Sequence, residues 1–176
     1  MIIKPSDAEY PDFYKGYIAL VPDGDVIKFL KKQKRLFTGL IDSIPEDQLL
    51  YRYAEGKWTI KQIVGHVIDT ERIMAYRALV FSRGERQPIP GFNENEYVEK
   101  ASFNKKNIQD LILEFAKLRE SNLALIQGFT DDMIDRKGNA NDFFFSVRAI
   151  IYIIAGHVEH HVNVIRDRYL SKETHT

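Results

Sequence analysis

The chain has 176 residues, 44% hydrophobic and 28% charged, the balance of a folded soluble protein with a core rather than of a disordered one. Lysine plus arginine and aspartate plus glutamate number 25 each, so no bulk charge recruits nucleic acid or an anionic membrane. Cysteine is absent, which excludes disulfides, thiolate ligands and a catalytic cysteine, and leaves His, Asp, Glu and water to hold any metal.

This length suits one domain over residues 1–176. No apolar run reaches about 18 residues without polar interruption, and MIIKPSDAEYPDF lacks the apolar stretch of a secretory signal. The expectation is a cytoplasmic protein with no membrane and no nucleic-acid partner.

Residues 1–22 carry Pro5, Pro11 and Pro22 among the rings of Tyr10, Phe13, Tyr14 and Tyr17. Prolines at these spacings prevent a long helix, so the segment reads as an irregular N-terminal arm packed on the body by its rings. Val26, Leu30, Gln33, Phe37, Leu40 and Ile44 then recur in steps of three and four, the stripe of a first long helix, with Lys31, Lys32, Lys34 and Arg35 on its solvated side. Pro45 stops it, and PEDQL suggests a short extra turn.

Thr59 with Gln62 three residues later fits a capping box, so a second helix starts there and runs to about Arg83. Trp58, just before the cap, reads as an anchor for the helix entry or as a wall beneath His66. Ile68, Tyr76 and Leu79 form a second apolar side, to be covered by the arm or by another subunit. Residues 84–104 read as a long crossover loop, with Phe92, Asn93, Asn95 and Tyr97 as candidate binding groups. A third helix carries Ile108, Leu111, Phe115, Leu118, Asn122, Leu125 and Phe129, with Asn122 as a hydrogen-bonded core residue and Gly128 as the stop. Residues 130–145 form an acidic link, briefly extended at 143–145, and Ser146 caps a fourth helix that ends near Leu170. Four long helices with a long second connection predict an all-α four-helix bundle.

Of five histidines, three lie in AGHVEHH, on the fourth helix. At about 100° per residue, His157 and His161 share one face one turn apart, alongside Val147, Ile150, Ile154, Val158 and Ile165. His160 falls at the border of that face. A catalytic metal centre wants three protein ligands and an open position. His175 sits in the terminal SKETHT, where fraying is expected, so the natural third ligand is His66, on the inner face of the second helix with Ile63, Val67, Thr70 and Met74. Spacing alone leaves two readings open. The three imidazoles either hold one metal ion or are core histidines, each satisfied by a hydrogen bond.

WTIKQIVGHVIDTE, PGF in the crossover and AGHVEHHVNVIRDRYL in the last helix, in that order and spacing, resemble the DinB-like superfamily. Within it the chain is similar to the YfiT-type metal-dependent hydrolases and the bacillithiol S-transferases, over about residues 25–170. The resemblance implies a four-helix bundle with one divalent metal, zinc or nickel, bound by one histidine of the second helix and two of the fourth. Carried over by position, these are His66, His157 and His161, the set that the shared-face argument selects. The resemblance also implies a homodimer. Nothing carries over to the N-terminal arm, which matches the family pattern least.

A three-histidine centre can lower the pKa of water for hydrolysis or activate a thiolate for transfer, the activity of relatives that use low-molecular-weight thiols. Without a cysteine in the chain, such a thiol arrives as cosubstrate, and the substrate is a small molecule. His160 is the candidate catalytic residue, as proton carrier or as orienter of a ligand. Asp69 and Glu71 point off the His66 direction and read as solvated or paired with a neighbouring arginine. Arg77 and Arg168 read as inward-facing, for core-edge ion pairs or for a substrate carboxylate. The contrasting reading is a non-catalytic metal-binding helical dimer, a stress-response or small-ligand binding module, whose centre a fourth protein ligand would close.

Overall fold

In the computed structural model, which describes residues 1–171, each long helix opens on a side-chain oxygen that accepts one of its free amides. Asp25 takes the amides of Ile27 and Lys28 at the start of Val26–Asp42, which is α2. Thr59 and Gln62 close the expected capping box, at 3.0 and 3.1 Å, on Ile60–Ser82, α3. Asn107 caps Ile108–Gln127, α5, and Ser146 accepts the Ala149 amide at 2.9 Å to start Val147–Val164, α7. These four form the bundle. Among the described residues no helix is long and apolar enough to cross a membrane. His175 lies outside the described residues.

α7 is the helix the others wrap. Its residues from Ala149 to Val158 are all buried, because α3 lies along one side, α2 along another, and the N-terminal arm covers a third. The arm is more regular than its prolines suggest. Short 3-10 turns at Asp7–Glu9 and Asp12–Tyr14 lead into a five-residue helix, Lys15–Ala19, α1. Its main chain meets α7 at Gly156, where a Cβ would stand 2.0 Å from the Tyr17 carbonyl oxygen. Tyr10 is buried, but Phe13 projects into solvent at 76% exposure. The arm therefore docks by backbone proximity and by some of its rings, not by all four. The arm sits on α7 and does not cover the second apolar side of α3, where Ile68 is buried in the bundle core, Leu79 is half-buried and Tyr76 is exposed.

The two connections hold structure that apolar periodicity does not reveal. The crossover contains Glu94–Lys100, α4, capped by Asn93, and at Ile89 its backbone pairs with Asn139 and Asn141 of the next link. That link forms a short helix, Asp131–Asp135, α6, and an antiparallel hairpin of Lys137–Ala140, β1, with Phe143–Ser146, β2. After α7 the chain widens into a π-type turn over Ile165–Leu170. The extra residue per turn rotates the following positions, so Tyr169 is buried and Arg168 is exposed, not inward.

One buried polar network joins the four long helices. Arg119 of α5 donates from Nε and Nη2 to both carboxylate oxygens of Glu71 of α3, each at 2.7 Å, with the two side chains 1% and 2% exposed. Asn122 donates to the same carboxylate at 3.2 Å. Arg119 Nη1 also donates to Gln33 of α2, and Gln33 donates at 2.8 Å both to the Ala155 carbonyl and to Glu159 of α7. Of the two expectations for Glu71, solvated or paired with a neighbouring arginine, burial rules out the first, and the pairing is with an arginine on another helix. Arg119→Met leaves that carboxylate buried with Asn122 as its remaining donor, and should cost about 3–5 kcal/mol in urea denaturation. The Glu71→Leu/Arg119→Met double variant should recover much of the loss.

Candidate metal centre

Three imidazoles meet where α3 and α7 pack. His66 comes from α3, and His157 and His161 come from consecutive turns of α7, with exposures of 4, 6 and 8%. Nε2 of His157 lies 3.0 Å from Nε2 of His66 and 3.1 Å from Nε2 of His161, and the ligating atoms of all three lie within 4.8 Å of one another. Ring centroids are 4.6–5.0 Å apart, with the planes steeply inclined. The rings therefore converge by their nitrogens rather than stacking.

Burial fixes the charge state. It pushes His66 down to about 4 and holds His157 and His161 well below the ordinary histidine range, with mutual repulsion adding to the effect. Thr70, one turn after His66, brings its hydroxyl to 3.5 Å from His66 Nδ1, while His161 Nδ1 is buried without a partner. A neutral imidazole has one N–H and one lone pair. With each proton on Nδ1, three Nε2 lone pairs converge, and no carboxylate joins the cluster among the described residues. A cation resolves that crowding. Three imidazole nitrogens at about 2.0–2.1 Å from a tetrahedral ion would lie about 3.3 Å apart, close to the 3.0 and 3.1 Å that separate His157 Nε2 from its two neighbours. The donor set fits a divalent metal ion and would leave at least one position open.

Aromatic side chains frame the centre on two sides. Trp58 tilts against His66 at 4.6 Å between centroids, so it is a wall of the site as well as an anchor before the α3 cap. Its carbonyl accepts the Tyr169 hydroxyl at 2.6 Å, which ties that wall to the π-type turn. On the other side Tyr17 stands 5.6 Å from the His157 ring and 5.1 Å from His160.

Two clefts reach the histidines. A wider one of about 300 Å³ is bordered by Trp58, Asn95, His160, His161 and Tyr169, and a narrower one of about 140 Å³ by Tyr14, Tyr17, Arg77, Phe92 and His157. His160 stays outside the cluster of three, its ring 5.0 Å from that of His161, half-buried on the wider cleft. Of the crossover candidates, Phe92 and Asn95 border clefts, while Asn93 caps α4 and Tyr97 is exposed. Asp69 turns away to Arg72 at 3.8 Å. Glu94, which borders both clefts, is absent from the sequence-derived candidates. Asn93 followed by Glu96 is a cap signature that marks the start of α4 and so the place of Glu94.

The model of the DinB superfamily matches residues 30–165. The chain belongs to the DinB superfamily. A protein of Oceanobacillus iheyensis, named as a candidate metal-dependent hydrolase, is 24% identical over 72% of this chain and 73% of its own. Among solved structures the fold is similar to YfiT of Bacillus subtilis, described as a candidate metal-dependent hydrolase with an unusual four-helix-bundle topology. The TM-score is 0.74 at 18% identity, over 93% of this chain and 90% of that one. The mycothiol-dependent maleylpyruvate isomerase matches with a TM-score of 0.66 at 13% identity, over 82% of this chain and 60% of the isomerase. The DinB-like protein YjoA of Bacillus subtilis matches at 0.60 and 19%, over 87% and 94%. These likenesses place the chain in the same four-helix fold.

The depressed histidines make the metal-free protein acid-sensitive. As pH falls below the ordinary value of 6.5, the unfolded chain takes up protons that the buried rings refuse, so folding stability drops from there down to about pH 4, the folded value of His66. Denaturation midpoints of chelated protein should fall steadily across that window, and His66→Gln should flatten part of the slope. A level profile would show that the rings accept protons where they sit.

Proposed function

We propose that this protein is a metal-dependent enzyme of the DinB superfamily that binds one divalent ion, zinc or nickel, through His66, His157 and His161. The observation that supports this reading is the convergence of three neutral Nε2 atoms beside two solvent-reaching clefts, with no fourth protein ligand in the cluster among the described residues. A closed structural centre would have that fourth ligand. When bound, the ion supplies a lowered pKa to water or to a thiol, giving a nucleophile near neutral pH.

The reaction is hydrolysis of a small molecule or transfer of a low-molecular-weight thiol brought in as cosubstrate. Likeness of fold to a mycothiol-dependent isomerase supports the thiol branch, and the name of the Oceanobacillus relative supports the hydrolytic one. In either branch the chain's own groups have distinct tasks. Trp58 and Tyr17 wall the centre from bulk water, and His160 carries a proton between the wider cleft and solvent. A homodimer is the proposed assembly, with the surface of α3 around the exposed Tyr76 as the contact.

Elemental analysis of untagged protein should find about one zinc or nickel per chain, lost in His66→Ala, His157→Ala and His161→Ala. Chelation should lower the melting temperature, because an ion that bridges α3 and α7 binds only the folded chain. No metal after anaerobic reconstitution would sink the proposal. His160→Ala should retain the metal and lower turnover of an accepted ester or thiol acceptor by about 10²-fold. Unchanged turnover would remove His160 from the chemistry.

A further inference from the structure

The narrower cleft holds a guanidinium with which, among the described residues, no carboxylate forms an ion pair. It belongs to Arg77 of α3, which is 3% exposed. Its Nη2 donates to the Pro90 carbonyl at 3.2 Å, its Nη1 approaches only the Met74 sulfur at 3.9 Å, and its Nε is buried without a partner. A guanidinium has five N–H donors in a planar fork. Most of them here have no strong acceptor, in contrast to Arg119, whose donors meet Glu71 and Gln33. A buried arginine is costly unless paired, so an unpaired one calls for an anion from outside.

The cleft itself says which kind. Arg77, Tyr14, Met74, Ile153 and His157 border one cavity of about 140 Å³. An apolar cavity of about 150 Å³ holds a benzene molecule, so this space takes about six non-hydrogen atoms. Glu94 also borders it but is exposed and forms no ion pair with Arg77. With Arg77 and a ring of the histidine cluster bordering the same cavity, a molecule that fills it touches both.

We propose that Arg77 is an anion subsite, and that the substrate of the neighbouring centre is a small monocarboxylate of about six non-hydrogen atoms, held by the Arg77 fork with its reacting end at His157. The reacting end rests on the metal-enzyme reading above, while the anion contact rests on Arg77 alone. Tyr14, whose hydroxyl interacts with the guanidinium, closes the arm side of the subsite.

The test is calorimetric titration of the metal-loaded full chain with butyrate and with its uncharged isostere butyramide. Butyrate should saturate a single class of site, with butyramide at least about tenfold weaker, and Arg77→Gln should weaken butyrate at least about tenfold. Metal content, measured on the same samples, should not change in Arg77→Gln. Equal binding of the two ligands, or butyrate affinity insensitive to Arg77→Gln while the metal is retained, would overturn the subsite and leave the metal enzyme standing. Arg77-dependent butyrate binding in protein that takes up no metal would sustain the subsite and remove the enzyme reading. Should Arg77→Gln fail to fold, nuclear Overhauser contacts between butyrate and the Met74 methyl group in the native chain decide the matter. Their presence supports the subsite and their absence overturns it.

Discussion

A buried carboxylate held bidentately by a guanidinium fixes how the helices of this bundle are rotated. Glu71 and Arg119 are tolerated in the interior only while their donors and acceptors are matched, and the match extends through Gln33 to the Ala155 carbonyl and Glu159. A rotation of α3 or α7 that broke this chain would leave charge unsatisfied in a dry core. Around α7, Glu159 lies about 160° from both His157 and His161, and around α3, Glu71 lies about 140° from His66. Locking one face of each helix into the network therefore turns the opposite faces, the histidine faces, toward each other.

That arrangement also determines the chemistry the histidines can offer. Dry packing keeps the imidazoles neutral, and their steep mutual inclination points nitrogen lone pairs at a common place rather than stacking the rings. The same packing would exclude substrate if the bundle closed completely. It does not, because the centre lies where irregular segments lie against α3 and α7. The arm contributes Tyr14 and Tyr17, the π-type turn contributes Tyr169, and the crossover contributes Phe92 and Asn95. Gly156 permits the closest of these approaches, since any side chain there would collide with the Tyr17 carbonyl and lift the arm from beside His157.

The two buried arginines show how context assigns a role to one residue type. Arg119 is spent inside the protein, its fork filled by Glu71 and Gln33. Arg77 has a comparable depth, but beside it stand only a main-chain carbonyl, a sulfur and the Tyr14 hydroxyl. The first is framework, and the second is available to a ligand.

By itself the sequence determined what local geometry and periodicity can carry. The Thr59–Gln62 box and Ser146 placed two helix starts, apolar steps of three and four gave four long helices, and the 100° rotation per residue put His157 and His161 on one face with His66 on another inner face. The DinB resemblance rested on the same segments. Tertiary structure decided the rest, because it depends on which distant residues meet. Glu71 and Arg119 are 48 positions apart, and no periodicity links them. The crossover helix α4 and the β1–β2 hairpin are too short to leave an apolar stripe. Arg168 faces solvent because one widened turn shifts the phase that an ideal helix would keep. Arg77 reads as inward from the sequence, but its lack of a carboxylate partner among the described residues is a property of every neighbour at once, and only the folded chain displays it.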